Sequence, residues 1–482
     1  MKKMLLSAAI LCFTAMAFGQ DTGAQKAVQV AQIPGAAAGA NTGESIQNGS
    51  SNAVQVRQAG TEQSTLTDQD GVGNLARVFQ TGNVNGNQSL SGQLNLAEVT
   101  QTGYGNESTT AQEGDYNNAF TSQNNDGGEE SLGNRAQIMQ GVANQAENND
   151  AAIIQDGQDN SAYTLQIWDN SDAATYQTGV GNTSEILQNA GPEDSEGHFA
   201  IVTQIGSEND SRVNQSGDDY SQARNIAHAD QNGSGNAAEQ IQVATGSTEG
   251  NTAIVSQGFT GSFEVSTQQE DVFAEVNTFD TSLAGDDDGA GLEATNGVAF
   301  QTQTGGENDA VIVQFGDGNN AAQSQNGDGN IAQAIQNLTP DSGFDNVSSQ
   351  TQTGDNNVAS AVQNDRLHTA VQSQIGDGNN ILSSQRGIAN YTDVAQEGDQ
   401  SFGRTLQHGN FNVAFLTQRD GQSYTVRQNE NQFGDNGHNQ ADILQEGPYG
   451  SGVQRDFHHF NASGVTAPHQ VGSFTLDPLY EN

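Results

Sequence analysis

Glutamine recurs every 11 residues along most of this chain, and that spacing constrains the fold more than any other feature. Gln47, Gln58, Gln69 and Gln80 form one series, Gln155, Gln166, Gln177 and Gln188 a second, and Gln303, Gln314, Gln325 and Gln336 a third. The longest runs through Gln352, Gln363, Gln374, Gln385, Gln396, Gln407 and Gln418. Glycine follows two residues later at Gly60, Gly71, Gly179, Gly305, Gly316, Gly327 and Gly376. Asn or Ser comes three residues after that, as at Asn74, Asn160, Asn182, Asn308, Asn319, Asn330, Asn379 and Asn412. A small residue stands two further on, as at Ala76, Ala162, Ser184, Ala310, Ala321, Ala332 and Ala414. Self-similarity at a fixed period is the signature of a repeat architecture, in which each unit buries its face only against its neighbours.

The segment from Asn to the next Gln has seven residues, a usual length for a β-strand. Side chains alternate faces along a strand, so Asn, the small residue, a variable residue and Gln share one face. Asn74, Ala76, Val78 and Gln80 are one such set; Asn52, Val54, Val56 and Gln58 another; Asn412, Ala414, Leu416 and Gln418 a third. The opposite face is read as polar and variable. Arg77, Glu98, Asp210, Arg212, Asp309, Asp393 and Arg404 all fall at odd offsets, which places them outward. The four residues between Gln and Asn make the turn, where glycine permits positive φ and Asp-Gly pairs such as Asp317-Gly318, Asp328-Gly329 and Asp377-Gly378 favour reversal. Two strands and two turns give a rung of about 22 residues. The expected fold is therefore all-β, a parallel β-solenoid of strand–turn–strand rungs, with cross-β geometry on assembly. Stacking puts inward Asn and Gln amides above their counterparts, and each amide hydrogen bond contributes roughly 0.5–1.5 kcal/mol net.

Composition fits this reading. Apolar residues make up 33% and aromatics 6%, too few for a conventional core over 482 residues. Proline cannot donate to a ladder, and Pro34, Pro192, Pro340, Pro448, Pro468 and Pro478 all lie outside the regular units. The formal charge of -44 (14 Lys+Arg, 58 Asp+Glu) repels nucleic acid and anionic membranes, so neither is an expected partner. Residues 1–20 read as a secretory signal peptide: Lys2 and Lys3, an apolar run from Met4 to Phe18, and small residues near Gly19. The single cysteine, Cys12, lies within it, so the exported chain has no disulfide framework. No other stretch is long and apolar enough for a transmembrane helix. The remaining divisions are a non-repeat segment at 21–46, a repeat block at 47–257 with insertions near 124–133, 189–199 and 244–250, and an irregular joint at 258–297. A second block follows at 298–445 with an insertion at 337–345, and then a tail at 446–482.

On these residues the chain resembles the curlin-repeat family, whose unit reads S-x5-Q-x-G-x-x-N-x-A-x3-Q. Ser401, Gln407, Gly409, Asn412, Ala414 and Gln418 match it; Gln325, Gly327, Asn330, Ala332 and Gln336 match with Asn319 at the Ser place. Some units depart from the pattern, with Trp168 and Asp365 at glycine positions. The resemblance covers 47–257 and 298–445. It implies a structural subunit that leaves a Gram-negative bacterium through the periplasm and an outer-membrane secretion pore. Such subunits polymerise with themselves, related subunits or a nucleator into extracellular amyloid fibres that serve as biofilm matrix and in adhesion. The alternative is a monomeric β-solenoid adhesin or surface-binding protein, with calcium as a candidate stabiliser.

No catalytic constellation, cofactor motif or phosphate-cradling loop is present, so the chain is not expected to be an enzyme or to carry a cofactor. His458, His459 and His469 lie in the tail without a cysteine partner and read as a solvated tail, not a metal site. The Gly-Asp-Gly-Asn turns resemble calcium loops only superficially, since a period of 11 fits neither the nonapeptide β-roll nor the EF-hand.

Overall fold

The computed structural model describes residues 40–81, 92–125, 127–128, 131–141, 146–190, 197–217, 224–245, 250–258, 293–337, 343–428 and 438–445. The expected signal peptide, the tail 446–482 and all six prolines lie outside the described residues. The chain divides into two compact units, 1–318 and 319–482. Each is a parallel β-solenoid, and no helix occurs among the described residues.

In the first unit, strands alternate between two sheets. One sheet contains longer strands, among them Ser64–Val72, Asp150–Gln158, Asp172–Val180 and Phe199–Ser207. The other contains mostly shorter ones, such as Leu75–Thr81, Ser161–Ile167 and Thr183–Asn189. Successive strands of a sheet pair in parallel and in register, Gln155 on Gln177 on Gln204 in one, Gln166 on Gln188 on Gln215 in the other. The second unit repeats this plan. Val358–Arg366, Asn380–Ile388 and Phe402–Asn410 form its long-strand sheet, and Val347–Thr353, Thr369–Ile375 and Tyr391–Glu397 part of the other.

Insertions leave the register intact because they sit at turns. Gln69 stacks on Gln101 across a separation of 32 residues, and Gln177 on Gln204 across 27. The segment 258–297, read from the sequence as a joint between blocks, is also spanned by the ladder. Thr252–Gln257 pairs with Asp309–Gln314, and Ala237–Ala244 with Val298–Thr304, inside the first unit. Regular pairing already starts at Thr42, within the segment read as non-repeat.

The interior is a stripe of buried apolar side chains between the two rows of amides. Ala76, Val78, Ala97 and Val99 form one buried cluster, and Ala119, Ala136, Ile138, Ala151, Ile153 and Ala162 another. In the second unit Ile381, Val394 and Leu416 play the same part. Alanine recurs two residues after Asn, and where the larger Ile381 takes that place its neighbour on the next rung is Gly403, so the summed volume of the stripe is kept.

The outward faces are not alike, and here the expectation of a uniformly polar exterior is corrected. On the short-strand sheet of the first unit the outward face is more open and mixed: Arg212 lies between Glu185 at 3.1 Å and Glu239 at 3.6 Å on adjacent rungs, beside half-buried Leu165, Leu187 and Ile241. Arg77 pairs with Glu107 in the same way. On the long-strand sheet, Ala152, Ala174 and Ile201 form a buried outer row, with Phe120, Tyr176 and Phe199 packed against it. Ile335 and Leu382 are likewise buried on the outer face of the second unit. The reason is that an 11-residue register superimposes the two sheets, while outward residues differ with a period of 22.

Candidate functional site: the inner amide ladders

The groups with the most concentrated chemistry are the inward amides. Gln69, Gln80, Gln155, Gln166, Gln177, Gln303, Gln314, Gln325, Gln336, Gln352, Gln363, Gln374, Gln385, Gln396, Gln407 and Gln418 are all buried. Gln58, on the first rung, is half-buried. Within each unit the side chains form continuous files with one direction. Each Nε2 donates to the Oε1 of the next rung: Gln58 to Gln80 at 2.9 Å, Gln80 to Gln112 at 2.9 Å, Gln155 to Gln177 at 2.8 Å. The second unit shows the same sense from Gln352 to Gln374 to Gln396 to Gln418, at 2.9, 3.0 and 2.9 Å. The second Nε2 proton reaches across the interior to backbone carbonyls, as from Gln80 to Ser64 and Asn95 at 3.0 Å each. Burial without these partners would be costly, so the glutamines satisfy each other and the strand ends together.

Asn74, Asn160, Asn182, Asn308, Asn319, Asn330, Asn379 and Asn412 are also buried. Their Oδ1 atoms accept the backbone N–H of the equivalent residue on the next rung, as from Asn106 to Asn74 at 3.0 Å and Asn182 to Asn160 at 3.1 Å. Their Nδ2 groups bind corner carbonyls, as Asn160 does at Gly179 (3.0 Å) and Asn379 at Gly398 (2.7 Å). Asparagine thus ties each corner to the rung beyond it.

Gly71, Gly179, Gly305, Gly316, Gly327 and Gly376 all have positive φ, between 86° and 130°. In the long-strand sheet the strand continues through this glycine, so Gly157, Gly179 and Gly206 stack in register instead of lying in a loop. Trp168 (φ 69°) and Asp365 (φ 83°) retain the left-handed conformation at the two glycine positions that depart from the pattern. A second left-handed residue stands just before each Asn, where Asp159 and Glu208 occupy the place that Gly181 fills between them.

Three features were not anticipated. A further glutamine file runs two residues before the first, from Gln240 to Gln301 at 3.0 Å and from Gln323 to Gln350 to Gln372 at 2.7 Å each. Its signal in the sequence is Gln-x-Gln, as in Gln350-Thr351-Gln352 and Gln372-Ser373-Gln374. Second, histidine replaces Asn at His198 and His368, both buried. Third, the second unit carries a row of aspartates at its exposed corners. Backbone N–H groups of Asp328, Asp355 and Asp377 donate to Oδ1 of Asp355, Asp377 and Asp399, each at 2.9 Å. Those bonds offset the repulsion between stacked carboxylates.

Among the described residues, no group of three or more His, Cys, Asp or Glu is placed to hold a metal ion. No protein-family model matches the chain, and a search of curated proteins finds no significant match.

Proposed function

We propose that this chain is a secreted, curli-like structural subunit whose solenoids stack end to end into extracellular fibres for biofilm matrix and adhesion. A parallel β-solenoid is consistent with a structural or adhesin-like protein. The observation that favours a fibre subunit is the state of the terminal rungs. Thr42–Ser50 and Ala53–Ala59 each pair on one side only among the described residues, and residues 43–50 are exposed. An uncovered strand edge is a template for another chain.

The amide files give that edge a direction. Gln47 and Gln58 donate inward to Gln69 and Gln80, so their Oε1 acceptors face the open side. At the other end, Gln428 and Gln445 accept from Gln407 and Gln418, with no glutamine beyond them among the described residues. Donors at one terminus and acceptors at the other suit head-to-tail addition of a second copy. Residues 1–20 support export, and the resemblance to curlin repeats supports an outer-membrane pore, a related subunit or nucleator as partners, and a non-enzymatic role.

Incubation of the mature chain with and without chelator, followed by thioflavin fluorescence and electron microscopy, tests this reading. Fibres are expected in both conditions. Persistent monomers with calcium-dependent β-structure would instead identify a calcium-stabilised adhesin. Val56→Lys sharpens the test, because Val56 lies on the inner face of the open rung and is 38% exposed. The ammonium can remain solvated in the monomer but would be buried by the next copy. Elongation should slow at least tenfold while the circular dichroism of the monomer is unchanged.

A further inference from the structure

Among the described residues most half-rungs place asparagine at the start of the inner face, Ser171 and Ser401 take that place elsewhere, and two positions carry histidine instead. His198 Nδ1 accepts the backbone N–H of Asn225 at 3.3 Å, and Nε2 lies 3.1 Å from the carbonyl of Asn189. His368 repeats this in the other unit, with Nδ1 accepting from Asn390 at 3.2 Å and Nε2 lying 2.7 Å from the Asn364 carbonyl. Each ring copies the asparagine amide, with Nδ1 in place of Oδ1 and Nε2–H in place of Nδ2–H. Only the neutral Nε2–H tautomer satisfies both contacts. A protonated ring carries a hydrogen on Nδ1 as well, which then faces the N–H of the next rung.

We propose that His198 and His368 are acid-release joints, rungs that hold at neutral pH and open when their imidazoles take up a proton. Asparagine and serine do not titrate in this range, so rungs that begin with them lack this response. The inference concerns the single folded chain and goes beyond the proposal that chains polymerise.

The surroundings agree with this assignment. Burial, and the charge of Arg224, push His198 down to about 4, against the pull of the Asn189 carbonyl. Arg224 is itself held by Asp172 at 2.7 Å. Burial likewise pushes His368 down to about 4, although the Asn364 carbonyl, the Asp365 carboxylate and the backbone of Gly387 oppose it. Both folded values lie below the ordinary histidine value of 6.5. Above pH 6.5 open and closed rungs are both neutral and no pH effect arises. Between pH 6.5 and about 4 the open rung binds a proton that the closed rung does not, so stability falls as pH falls and levels off below that window. A third histidine, His228, has the opposite sign. Burial lowers it, but Asp230 at 3.2 Å outweighs that and raises it, so its contribution is lost as pH rises.

Hydrogen exchange of the full mature chain at pH 7.0 and 4.5, corrected for intrinsic rates, tests the proposal. Protection of segments 198–207 and 368–375 should fall at least tenfold more than that of rungs beginning with asparagine, and a His198→Asn, His368→Asn double variant should abolish the difference. His228 and the acidic surface are common to both proteins and cancel. Nitrogen-15 spectra of histidine-labelled wild-type chain give a readout that does not depend on the variants folding. Two rings are expected as neutral Nε2–H tautomers that resist protonation until about pH 4. A difference that persists in the double variant, or buried rings that titrate near 6.5, would overturn the proposal.

Discussion

Gly179→Ala should destabilise the first unit by about 4 kcal/mol or more, while Gly181→Ala, two residues away, should cost only about 1 kcal/mol. Both glycines have positive φ, 118° and 70°, so conformation alone does not separate them. The neighbours do. A Cβ on Gly179 would lie against the backbone carbonyl of Gly206, closer than van der Waals contact allows. That carbonyl belongs to a strand paired in register on both sides and cannot withdraw without opening the ladder. A Cβ on Gly181 would meet nothing closer than Glu208 Cγ at 3.8 Å. Asp159 and Glu208 already occupy the equivalent place on the flanking rungs, at φ 54° and 56°. Denaturant titration followed by circular dichroism would measure both variants. Equal losses would mean that glycine serves only the turn conformation and that the corners are not stacked as described.

The second large effect concerns placing the same charge at two adjacent residues. Gln374→Glu puts a carboxylate where Nε2 now donates to Gln396 and to the Val358 carbonyl, both at 3.0 Å. At neutral pH the anion would face two acceptors in a buried site and keep only the bond from Gln352, at 2.9 Å in the native chain. An unpaired buried charge of this kind costs about 3–5 kcal/mol. Ser373→Glu introduces an identical charge on the outward face, where the cost should stay within about 0.5 kcal/mol. Burial would raise the new carboxyl at position 374, so the lost stability should partly return as pH falls and the group becomes neutral. Similar losses for the two variants, or no recovery in acid for Gln374→Glu, would contradict the inward file.

The glutamine spacing made the inner face legible because a strand has period 2 and a seven-residue segment begins and ends on the same side. Asn74, Ala76 and Gln80 could therefore be assigned inward, and Arg77 outward, from position alone. What could not be read were properties that depend on the partner rung. Gln350 and Gln372 form a file only because like residues stack across rungs, and the Gln-x-Gln pairs that mark it recur in too few units to stand out from a variable site. His198 and His368 look like departures from the repeat until the ring nitrogens are seen in the places of an amide. The outer row at Ala152, Ala174 and Ile201 was missed for another reason. It has the period of a full rung, and counting by half-rungs averages it with the more open sheet. Insertions misled in the opposite direction: 258–297 interrupts the count of residues but not the stack, since Gln257 still donates to Gln314 at 2.9 Å.

If chains assemble as proposed, the repeating element of the fibre should be a single rung of this solenoid, not a whole chain laid flat. Fibre diffraction combined with mass-per-length measurement tests it directly. Both arrangements give a meridional spacing near ~4.7–4.8 Å, so diffraction establishes cross-β order and linear density distinguishes the two. The chain has a mass of 50.4 kDa. With roughly 22 residues in each ~4.8 Å layer, a single filament should have a density of roughly 0.5 kDa per Å. A stack in which every layer contains one complete chain would reach roughly 10 kDa per Å at the same spacing. The lower value, with cross-β diffraction, is the predicted result; the higher value, or fibres without that spacing, would contradict the account.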